Sequence, residues 1–443
     1  MPKLFGTDGI RGISGEEPLT AESINKIAGG FATLIRKMAN GKKNPSVVLG
    51  KDTRASCAMI ENAAVAGLTD VGVDVKLLGV IPTAGVAYLT KHLKADGGIM
   101  ISASHNPSDE NGIKLFTRSG EKLSEKEEAF VESNIGKRAE RSRKGTVTSL
   151  AQAEADYMAF LSESSGKPDL NGLSVVVDAA NGAAYKVAGI FATLGAAAKI
   201  INNNPDGKNI NKDCGAMHPE QLQKEVLAAK AVCGIALDGD ADRLIMVDEK
   251  GSLANGDATM LALAKQMLDT GRLSRKTAVV TEYTNTAFDD ELLAIGAKTV
   301  RVRNGDRQVH EEMKKHGYTL GGEQAGHIII GENTSGDGIL AALHVLKIMK
   351  ETGKPLSELA KLNRKPQALI NVEVKEKKEI AKLPLTSSAI SEAEKELPKL
   401  KGRLLIRYSG TQNLLRIMIE GNDEEKIKKL AEEIAEAAKK ELN

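Results

Sequence analysis

The clearest reactive arrangement in this sequence is a serine placed just after a short apolar run. Residues 98–101 predict a buried strand, and Ser104 follows it in a stretch that contains the turn-forming pairs Asn106-Pro107 and Asn111-Gly112. In open α/β sheets, ligands bind beyond the carboxyl ends of the strands. A hydroxyl at such a place, with Lys114 farther along the chain, suits a nucleophile or phosphate carrier beside a proton-transfer group.

A second candidate site is a set of three alternating aspartates, Asp238, Asp240 and Asp242, after the apolar residues 234–237. Clustered carboxylates repel one another, so they need a hard cation or basic partners. Mg2+ takes oxygen ligands and favours sites that it shares with a phosphate. An acidic surface turn and an aspartyl-phosphate phosphatase both remain open at this point. An EF-hand is disfavoured because Arg243 stands where its loop requires glycine and strands are predicted on both sides.

The elements that must position these side chains alternate between strands and helices. Short apolar runs predict strands, and apolar residues that recur every three or four positions predict helices. The alternation continues to about residue 360, and each polar motif follows a predicted strand, which indicates βαβ units and largely parallel sheets. Residues 178–182 are expected to form a turn that opens a helix. Early helices are expected at residues 20–38, 56–71 and 83–93.

The last part of the chain has a different pattern. Alternating or apolar runs at residues 369–374, 404–406 and 415–419 predict strands, and residues 423–442 predict a long amphipathic helix. The predicted fold class is therefore α/β, with three related mixed α/β domains followed by a smaller α+β C-terminal domain. The expected domains are 1–150, 151–252, 253–364 and 365–443.

Composition excludes several classes of protein. The 443 residues include 61 Lys and Arg against 59 Asp and Glu, a formal charge of +2. This balance provides no general basic field, so we expect no nucleic-acid partner. No apolar run is long enough to span a bilayer, so no membrane partner is expected. The three cysteines form no Cys-x-x-Cys pair and the N-terminus has no signal-peptide core, which together predict a cytoplasmic protein.

Three further motifs and a short glycine-containing triplet accompany these two stretches in a definite order. They are Phe5-Gly6-Thr7-Asp8-Gly9-Ile10-Arg11-Gly12, Gly305-Asp306-Arg307, Gly321-Gly322-Glu323-Gln324-Ala325-Gly326-His327 and Arg407-Tyr408-Ser409-Gly410-Thr411. With the serine stretch and the aspartates, this order resembles the phosphohexomutase family over the whole chain. The resemblance implies four domains around a central cleft and phosphoryl transfer between two positions of a hexose. The first motif and the Gly305 triplet resemble the branch that acts on glucosamine phosphates.

The resemblance also implies roles for individual residues. Ser104 would be a phosphoserine that gives its phosphoryl group to the sugar and takes one back, and its phosphate would help the three aspartates to hold one Mg2+. The implied catalytic residues are Ser104, Lys114, Arg11 and His327. The implied substrate-binding residues are Arg243, Glu323, Arg407, Ser409, Gly410, Thr411 and Arg416. Arginine with hydroxyls and loop amides is a suitable phosphate-binding set.

The substrate implied by this resemblance is a small sugar phosphate. Glucosamine 6-phosphate and glucosamine 1-phosphate would interconvert through glucosamine 1,6-bisphosphate, which is also the activator, and the product would feed UDP-N-acetylglucosamine synthesis. A homodimer is compatible with the family. The alternatives are the same chemistry on mannose or glucose phosphate, a Mg2+-dependent sugar phosphatase, and a silent sugar-phosphate-binding protein.

Three positions depart from the family pattern. Ala325 replaces a serine in the sugar-binding loop, and Gln412-Asn413 replaces Glu-Pro after the last motif. The first change removes a hydroxyl that could contact the sugar, and the second affects the phosphate-binding loop. Because Ser104, Lys114 and the aspartates are all present, we expect an active enzyme rather than a silent one.

Overall fold

A computed structural model describes residues 4–6, 8–137, 143–409 and 413–442 of the chain. These residues form two compact units, which are described separately. The first unit extends to Thr281 and also includes Ile295–Lys361, whereas the second includes Glu282–Ala294 and the chain from Leu362. Within the described ranges, no helix combines the length and the apolar character that crossing a membrane requires.

The first sheet has six strands in the order β1-β5-β4-β2-β3-β6. Strands β2, β3, β4 and β6 are parallel to their neighbours within this group, and β5 is antiparallel to both β4 and β1. The elements are β1 (Ile10–Ile13), α1 (Ala21–Met38), β2 (Ser46–Lys51), α2 (Cys57–Asp70), β3 (Asp74–Val80), α3 (Thr83–His92), β4 (Gly97–Ile101), β5 (Glu110–Thr117), α4 (Glu125–Asn134) and β6 (Val147–Ser149).

Local sequence explains where helices α1 and α4 begin. The Thr20 hydroxyl accepts a hydrogen bond from the Ser23 N–H at 3.2 Å and caps α1. Ser124 and Glu127 form a reciprocal capping box at the start of α4. The apolar face of α1, which includes the fully buried Ile24 and Phe31, packs in the hydrophobic core of this sheet, as its period of three to four predicts.

The second sheet has the order β11-β10-β9-β7-β8. Strands β8, β7 and β9 are parallel, and β10 returns antiparallel to β9. The elements are α5 (Ala153–Ser164), β7 (Ser174–Asp178), α6 (Ile190–Thr193), β8 (Ala197–Ile201), α7 (Glu220–Ala229), β9 (Cys233–Leu237), β10 (Leu244–Asp248) and β11 (Leu253–Ala254). The expected helix directly after residues 178–182 is wrong, because the first helical turn is a 3-10 segment at Val187–Gly189.

The third sheet has the order β13-β12-β14-β15, and β15 is antiparallel to β14. Helix α9 of this stretch belongs to the second compact unit. The elements are α8 (Gly256–Asp269), β12 (Thr277–Thr281), α9 (Thr286–Ala294), β13 (Lys298–Val302), α10 (Asp306–His316), β14 (Leu320–Gly322), β15 (Ile328–Ile330), α11 (Gly338–Thr352) and α12 (Leu356–Leu359).

The three sheets share one four-stranded core. The order is β5-β4-β2-β3 in the first, β10-β9-β7-β8 in the second and β15-β14-β12-β13 in the third. In each core three strands are parallel, and the strand named first in that order (β5, β10 or β15) is antiparallel to its neighbour. This common topology confirms the prediction of three related mixed α/β domains. It also shows that the serine, aspartate and Glu323 motifs each join a parallel strand to its antiparallel neighbour rather than to a helix.

The pair Asn111-Gly112 does not form the turn that its residue types predict, because it lies within β5. The buried Asn111 side chain donates to the Ser56 hydroxyl at 2.8 Å and accepts from the Gly112 N–H at 2.8 Å. A Cβ on Gly112 would approach the carbonyl oxygen of Ser102 to 2.6 Å. Glycine is therefore required here for close strand packing and not for a reversal of the chain.

The second unit contains a three-stranded antiparallel sheet in the order β16-β18-β17. Its elements, besides α9, are β16 (Gln367–Glu373), α13 (Pro384–Glu396), β17 (Arg403–Tyr408), β18 (Leu414–Glu420) and α14 (Glu424–Leu442). The predicted apolar face of α14 is buried, and it consists of Ile427, Leu430, Ile434 and Ala438. The prediction of a smaller α+β domain at the end of the chain is thus confirmed.

Candidate functional site

Ser104 lies in the loop between β4 and β5 with its side chain buried. Its backbone is left-handed, with φ of 54°, which is unusual for a residue with a Cβ. The Ser104 Oγ donates to Oδ2 of Asp238 at 2.6 Å, and the Ser104 N–H donates to the Ser102 Oγ at 2.9 Å. The two stretches that the sequence analysis identified separately therefore meet in one site.

The three aspartates lie between β9 and β10, where the antiparallel reversal directs them to the same place. One carboxylate oxygen of each lies within 4.8 Å of the others, and Asp238 and Asp240 are fully buried. Burial, together with the charges of Asp242 and Asp240, raises the pKa of Asp238 to about 8. Asp238 is therefore the carboxyl that this buried cluster disfavours in its charged form.

The donor set fits a hard divalent cation. The Oδ1 atoms of Asp240 and Asp242 are buried, and within the described part of the chain neither has a hydrogen-bond partner. Buried carboxylate oxygens without a partner are costly unless a cation binds them. Oxygen-only ligation by aspartates is the chemistry that Mg2+ prefers.

Lys114 lies on β5 at the inner side of this cluster and is 1 % exposed. Its Nζ contacts Oδ2 of Asp240 at 2.7 Å, Asp8 at 2.9 Å and Asp242 at 3.2 Å. Burial opposes its charge, but these carboxylates outweigh burial and hold the pKa of Lys114 well above its usual range. Lys114 therefore carries its proton in this arrangement and acts as a donor and a countercharge.

Arg11 and Asp8 come from the opening motif and join the same cluster. Arg11 forms an ion pair with Asp8, and its Nη1 donates to the Asn106 side chain at 3.3 Å. Asp8 also pairs with Lys122, which bridges to Asp306. Asp8 and Lys122 were not predicted as site residues. Asp8 could have been noticed as the carboxylate of the opening motif, but Lys122 lies in no motif.

His327 lies beside the aspartates because the third-sheet loop pairs with the aspartate loop. Arg243 and His327 form an antiparallel bridge, and the Leu244 N–H donates to the Gly326 carbonyl at 2.9 Å. The His327 Nδ1 lies 3.7 Å from Oδ2 of Asp242. The loop that the resemblance predicts to bind the sugar is thus brought beside the aspartate loop.

Two observations bear on the ionisation of His327, and they point in opposite directions. Burial disfavours its charge, yet Asp242 and Asp306 raise the pKa of His327 to about 9. However, the Gly336 N–H donates to His327 Nε2 at 2.9 Å, and this requires a lone pair on that nitrogen. We therefore assign the neutral ring with its proton on Nδ1, facing Asp242.

Glu323 is held at the start of the third-sheet loop. Its Oε1 accepts from the Gly305 N–H at 3.1 Å, and burial raises the pKa of its carboxyl. The adjacent Asp306 and Arg307 begin α10 and form ion pairs with Lys122 and Glu128, so this triplet has structural partners. Ala325 is exposed within the loop.

A cavity of about 320 Å³ adjoins this cluster. Lys122, Asp306 and His327 are among its lining residues, but neither Ser104 nor the three aspartates line it. It therefore lies next to the reactive side chains rather than around them.

In the second unit, Arg407 on β17 stands directly opposite Arg416 on β18. Two arginines in register repel one another unless an anion lies between them. The Arg407 Nε donates to the Tyr283 hydroxyl at 3.2 Å, and its guanidinium lies 5.3 Å from the centre of that ring. Ser409 is buried and ends β17 with an N–H bond to the Leu414 carbonyl. Gly410 and Thr411, with Gln412, lie outside the described residues.

Family comparisons agree along the whole chain. Residues 2–142, 155–251 and 255–365 match the descriptions "Phosphoglucomutase/phosphomannomutase, alpha/beta/alpha domain" I, II and III. Residues 369–437 match the C-terminal domain of the same family.

Curated relatives are similar over their full length. The phosphoglucosamine mutase of Geobacter sp. strain M21 is 46 % identical over 452 residues, covering 100 % of this chain and 99 % of that protein. The phosphoglucosamine mutase of Myxococcus xanthus is 44 % identical over 451 residues, covering 100 % of this chain and 98 % of that protein.

Solved structures share the fold at lower identity. A phosphoglucomutase/phosphomannomutase family protein from Burkholderia thailandensis has a TM-score of 0.82 at 23 % identity and covers 100 % of this chain and 98 % of its own. The Aspergillus fumigatus N-acetylphosphoglucosamine mutase in complex with GlcNAc-6P and magnesium has a TM-score of 0.71 at 20 % identity, with coverages of 99 % and 96 %.

Proposed function

The chain belongs to the phosphoglucomutase/phosphomannomutase family, and we propose that it interconverts glucosamine 6-phosphate and glucosamine 1-phosphate through glucosamine 1,6-bisphosphate. Its curated relatives are phosphoglucosamine mutases, which are intramolecular phosphotransferases of the isomerase class. The observation that carries the proposal is the 2.6 Å contact between Ser104 Oγ and Asp238 inside a buried acidic cluster.

In the first transfer, the bond between phosphorus and Ser104 Oγ breaks and a bond from phosphorus to the sugar hydroxyl oxygen forms. The leaving Ser104 Oγ takes a proton from Lys114, and Lys114 then recovers the proton that the sugar hydroxyl gives up. Lys114 and Arg11 are the proposed proton-transfer and charge-compensating groups at this point. Because its carboxylate partners hold the pKa of Lys114 high, its first role is to donate a proton rather than to accept one. The second transfer reverses these changes at the other end of the sugar.

Asp238, Asp240 and Asp242, with an oxygen of the phosphate on Ser104, would hold one Mg2+. When bound, this ion would offset negative charge on the transferring phosphoryl group. The chain's own part is to hold the three carboxylates together and to keep Ser104 directed at them. The unpartnered oxygens of Asp240 and Asp242 support this assignment.

The sugar and its second phosphate need separate binding groups. We propose that Arg243, Glu323 and His327 contact the sugar, since a carboxylate such as that of Glu323 can accept two hydroxyl hydrogens. We propose that Arg407, Ser409, Gly410, Thr411 and Arg416 bind the phosphate that is not being transferred. Support for the second assignment comes from the in-register arginines of β17 and β18.

A turnover assay tests the proposal. Purified enzyme is mixed with Mg2+ and a catalytic amount of glucosamine 1,6-bisphosphate. The 1-phosphates of glucosamine, glucose and mannose are then tested in parallel as substrates, and free phosphate is measured in each reaction. We expect the highest kcat/KM with glucosamine phosphate and no stoichiometric phosphate release. A preference for mannose or glucose phosphate would assign the protein to the neighbouring branch, and phosphate release with every turnover would make it a phosphatase.

Three expectations from sequence stay predictions. They are the domain limits 1–150, 151–252, 253–364 and 365–443, a cytoplasmic location, and a homodimer. Light scattering of the purified protein measures the last of these directly.

A further inference from the structure

Arg54 is a fully buried arginine at the end of the polar loop after β2, and all of its N–H groups have acceptors. Its Nε donates to Oδ2 of Asp52 at 2.9 Å, and both side chains have no exposed surface. Nη2 donates to the Ser104 carbonyl at 3.0 Å and the Asn106 carbonyl at 2.9 Å, and Nη1 donates to the carbonyls of Glu110, at 3.0 Å, and Pro107. One guanidinium thus collects four carbonyls of the serine loop, defined here as residues 102–110.

Asn211 donates to two of the same carbonyls from a different segment of the chain. It lies between β8 and α7, and its Nδ2 donates to the carbonyls of Ser104 at 2.9 Å and Asn106 at 3.1 Å. Asn211 is itself left-handed, with φ of 58°, and its N–H donates to the Ala180 carbonyl at 3.0 Å. The serine loop is therefore held between the first and second sheets of the first unit.

The N–H side of Ser104 is fixed by a separate pair of hydrogen bonds. The Ser102 hydroxyl donates to Oδ2 of Asp52 at 2.7 Å, which leaves its lone pair free to accept the Ser104 N–H at 2.9 Å. Asp52 also binds Arg54, so it connects the groups that hold the N–H and the carbonyl of Ser104.

We propose that Arg54 and Asn211 are positioning residues that hold Ser104 in its left-handed conformation and so direct its Oγ at Asp238. The proposal rests on the proposed mutase function, in which Ser104 must meet first one end of the sugar and then the other. A left-handed backbone persists at a residue with a Cβ only when its surroundings over-determine it. Six hydrogen bonds from two side chains to the carbonyls of one loop supply that constraint.

Lysine cannot replace Arg54 in this role. A lysine has three donors on one atom, whereas Arg54 uses five donors in a planar fork to reach acceptors on both of its sides. Arg54→Lys would keep the charge beside Asp52 but lose several of the carbonyl bonds. The variant thus removes hydrogen bonds that hold the serine loop while it keeps the positive charge beside Asp52. A loss of activity in this variant would therefore come from lost positioning of Ser104 and not from a change of charge.

Asn211→Asp is the sharper variant because it keeps the shape of the side chain and its tolerance of a left-handed backbone. It replaces a donor by an acceptor that faces two carbonyl oxygens. Asn40→Asp is the matched control, since Asn40 is also left-handed, with φ of 44°, but is exposed and remote from the loop. We measure kcat, KM, the rate of Ser104 phosphorylation by glucose 1,6-bisphosphate, and Tm.

For Asn211→Asp and Arg54→Lys we expect kcat and the phosphorylation rate to fall by about 10- to 100-fold, as displacements of reacting groups by about 1 Å do. KM should change little because neither residue is assigned to the substrate. Asn40→Asp should match the wild type. If both variants keep wild-type kcat and phosphorylation rates, the inference is wrong. A rise in KM with unchanged kcat in both variants would also contradict the inference, because it would place the two residues in substrate binding.

Amide hydrogen exchange of residues 102–110 in the folded protein provides a readout that does not depend on enzyme activity. Faster exchange in Asn211→Asp than in the wild type and in Asn40→Asp is expected, and unchanged exchange would overturn the inference even if Arg54→Lys does not fold. If the wild type turns over no hexose phosphate, the proposed function fails, and this exchange experiment still decides whether Asn211 constrains the loop.

Discussion

The Oγ of Ser104 lies 2.6 Å from Oδ2 of Asp238, although 134 positions separate the two residues in the chain. The contact exists because two sheets of the same topology each carry a polar loop between a parallel strand and its antiparallel neighbour. It joins the proposed phosphate carrier to the proposed metal ligands.

Ser104→Ala should abolish turnover and leave the fold intact. The substitution removes the hydroxyl that donates to the buried Asp238, so the free energy of unfolding in urea should fall by about 1–3 kcal/mol while the protein stays folded. Intact-mass analysis of active wild-type enzyme should show one phosphate that maps to residue 104. The control Ser108→Ala alters a serine of the same loop and should keep activity. A phosphate that maps elsewhere in active enzyme would exclude the assignment.

Asp240→Asn should raise the Mg2+ concentration needed for half-maximal activity. The variant removes one ligand charge, so Asp238, Asp242 and the phosphate on Ser104 would hold the ion with less negative charge. Asp213→Asn, at an exposed aspartate, is the control and should show the wild-type titration curve. Wild-type activity in excess chelator would contradict a metal requirement altogether.

Lys114→Met should destabilise the folded state by about 3–5 kcal/mol, because it leaves the buried carboxylates of Asp240 and Asp242, and the half-buried Asp8, without their common cation. Denaturant unfolding without Mg2+ measures the free energy. Lys167→Met is the control, since Lys167 is 64 % exposed and its loss should change stability by at most about 0.5 kcal/mol. Similar effects in the two variants would show that Lys114 does not neutralise the cluster.

Asp337 should make the protein less stable as the pH rises from about 4 to about 6. Burial raises the pKa of this carboxyl from 3.8 to about 6, so the folded state keeps a proton that the unfolded state loses within that window. The cost should reach about 3 kcal/mol above pH 6, given 1.36 kcal/mol for each unit of pKa. Asp337 caps α11 through the Leu340 N–H at 2.9 Å and accepts from the Tyr157 hydroxyl at 2.8 Å.

Asp337→Asn tests this dependence because the amide oxygen can still cap α11 and its NH2 group can donate to Tyr157. Urea unfolding of both proteins at pH 4 and pH 7.5 gives the difference in stability. The variant should gain relative to the wild type as pH rises, since it has no carboxyl to ionise. Parallel pH curves for the two proteins would show that Asp337 does not titrate in this window.

Arg407→Ala should raise KM for the sugar phosphate and release more free bisphosphate per turnover. Removing the charged partner of a bound phosphate costs about 2–5 kcal/mol of affinity. Mg2+ activation should not change, since the aspartates are untouched. Arg364→Ala, at an exposed arginine of the same unit, is the control. A wild-type KM without extra bisphosphate would remove Arg407 from the phosphate-binding set.

Much of the architecture follows from local patterns in the sequence. The periodic residues of α1 and α14 form the helices that they predict, and the apolar runs before Ser104 and Asp238 form strands β4 and β9. These elements are predictable because one side of each helix faces a core, and because a short strand that is buried on both faces is apolar throughout. The order of motifs likewise identified the family without any coordinates.

Other features depend on packing that local patterns do not record. Helix α11 was not predicted, because ten of its fifteen residues are buried and its polar face is narrow, with only His344 and Lys347 outside the buried set before the last turn. The Asn111-Gly112 pair has the residue types of a turn, yet close packing against Ser102 places it in a strand.

The tertiary structure alone decided how the site is electrically balanced and held. The sequence left open whether Lys114 could act as a base, because its pKa depends on carboxylates more than 100 positions away. Arg54 was visible only as part of a polar loop, and its bonds to the Ser104 loop form when two distant segments pack together. Sequence thus determined many of the elements and the reactive groups of this protein, whereas long-range packing determined the remaining elements, the charge states and the fixed geometry between the groups.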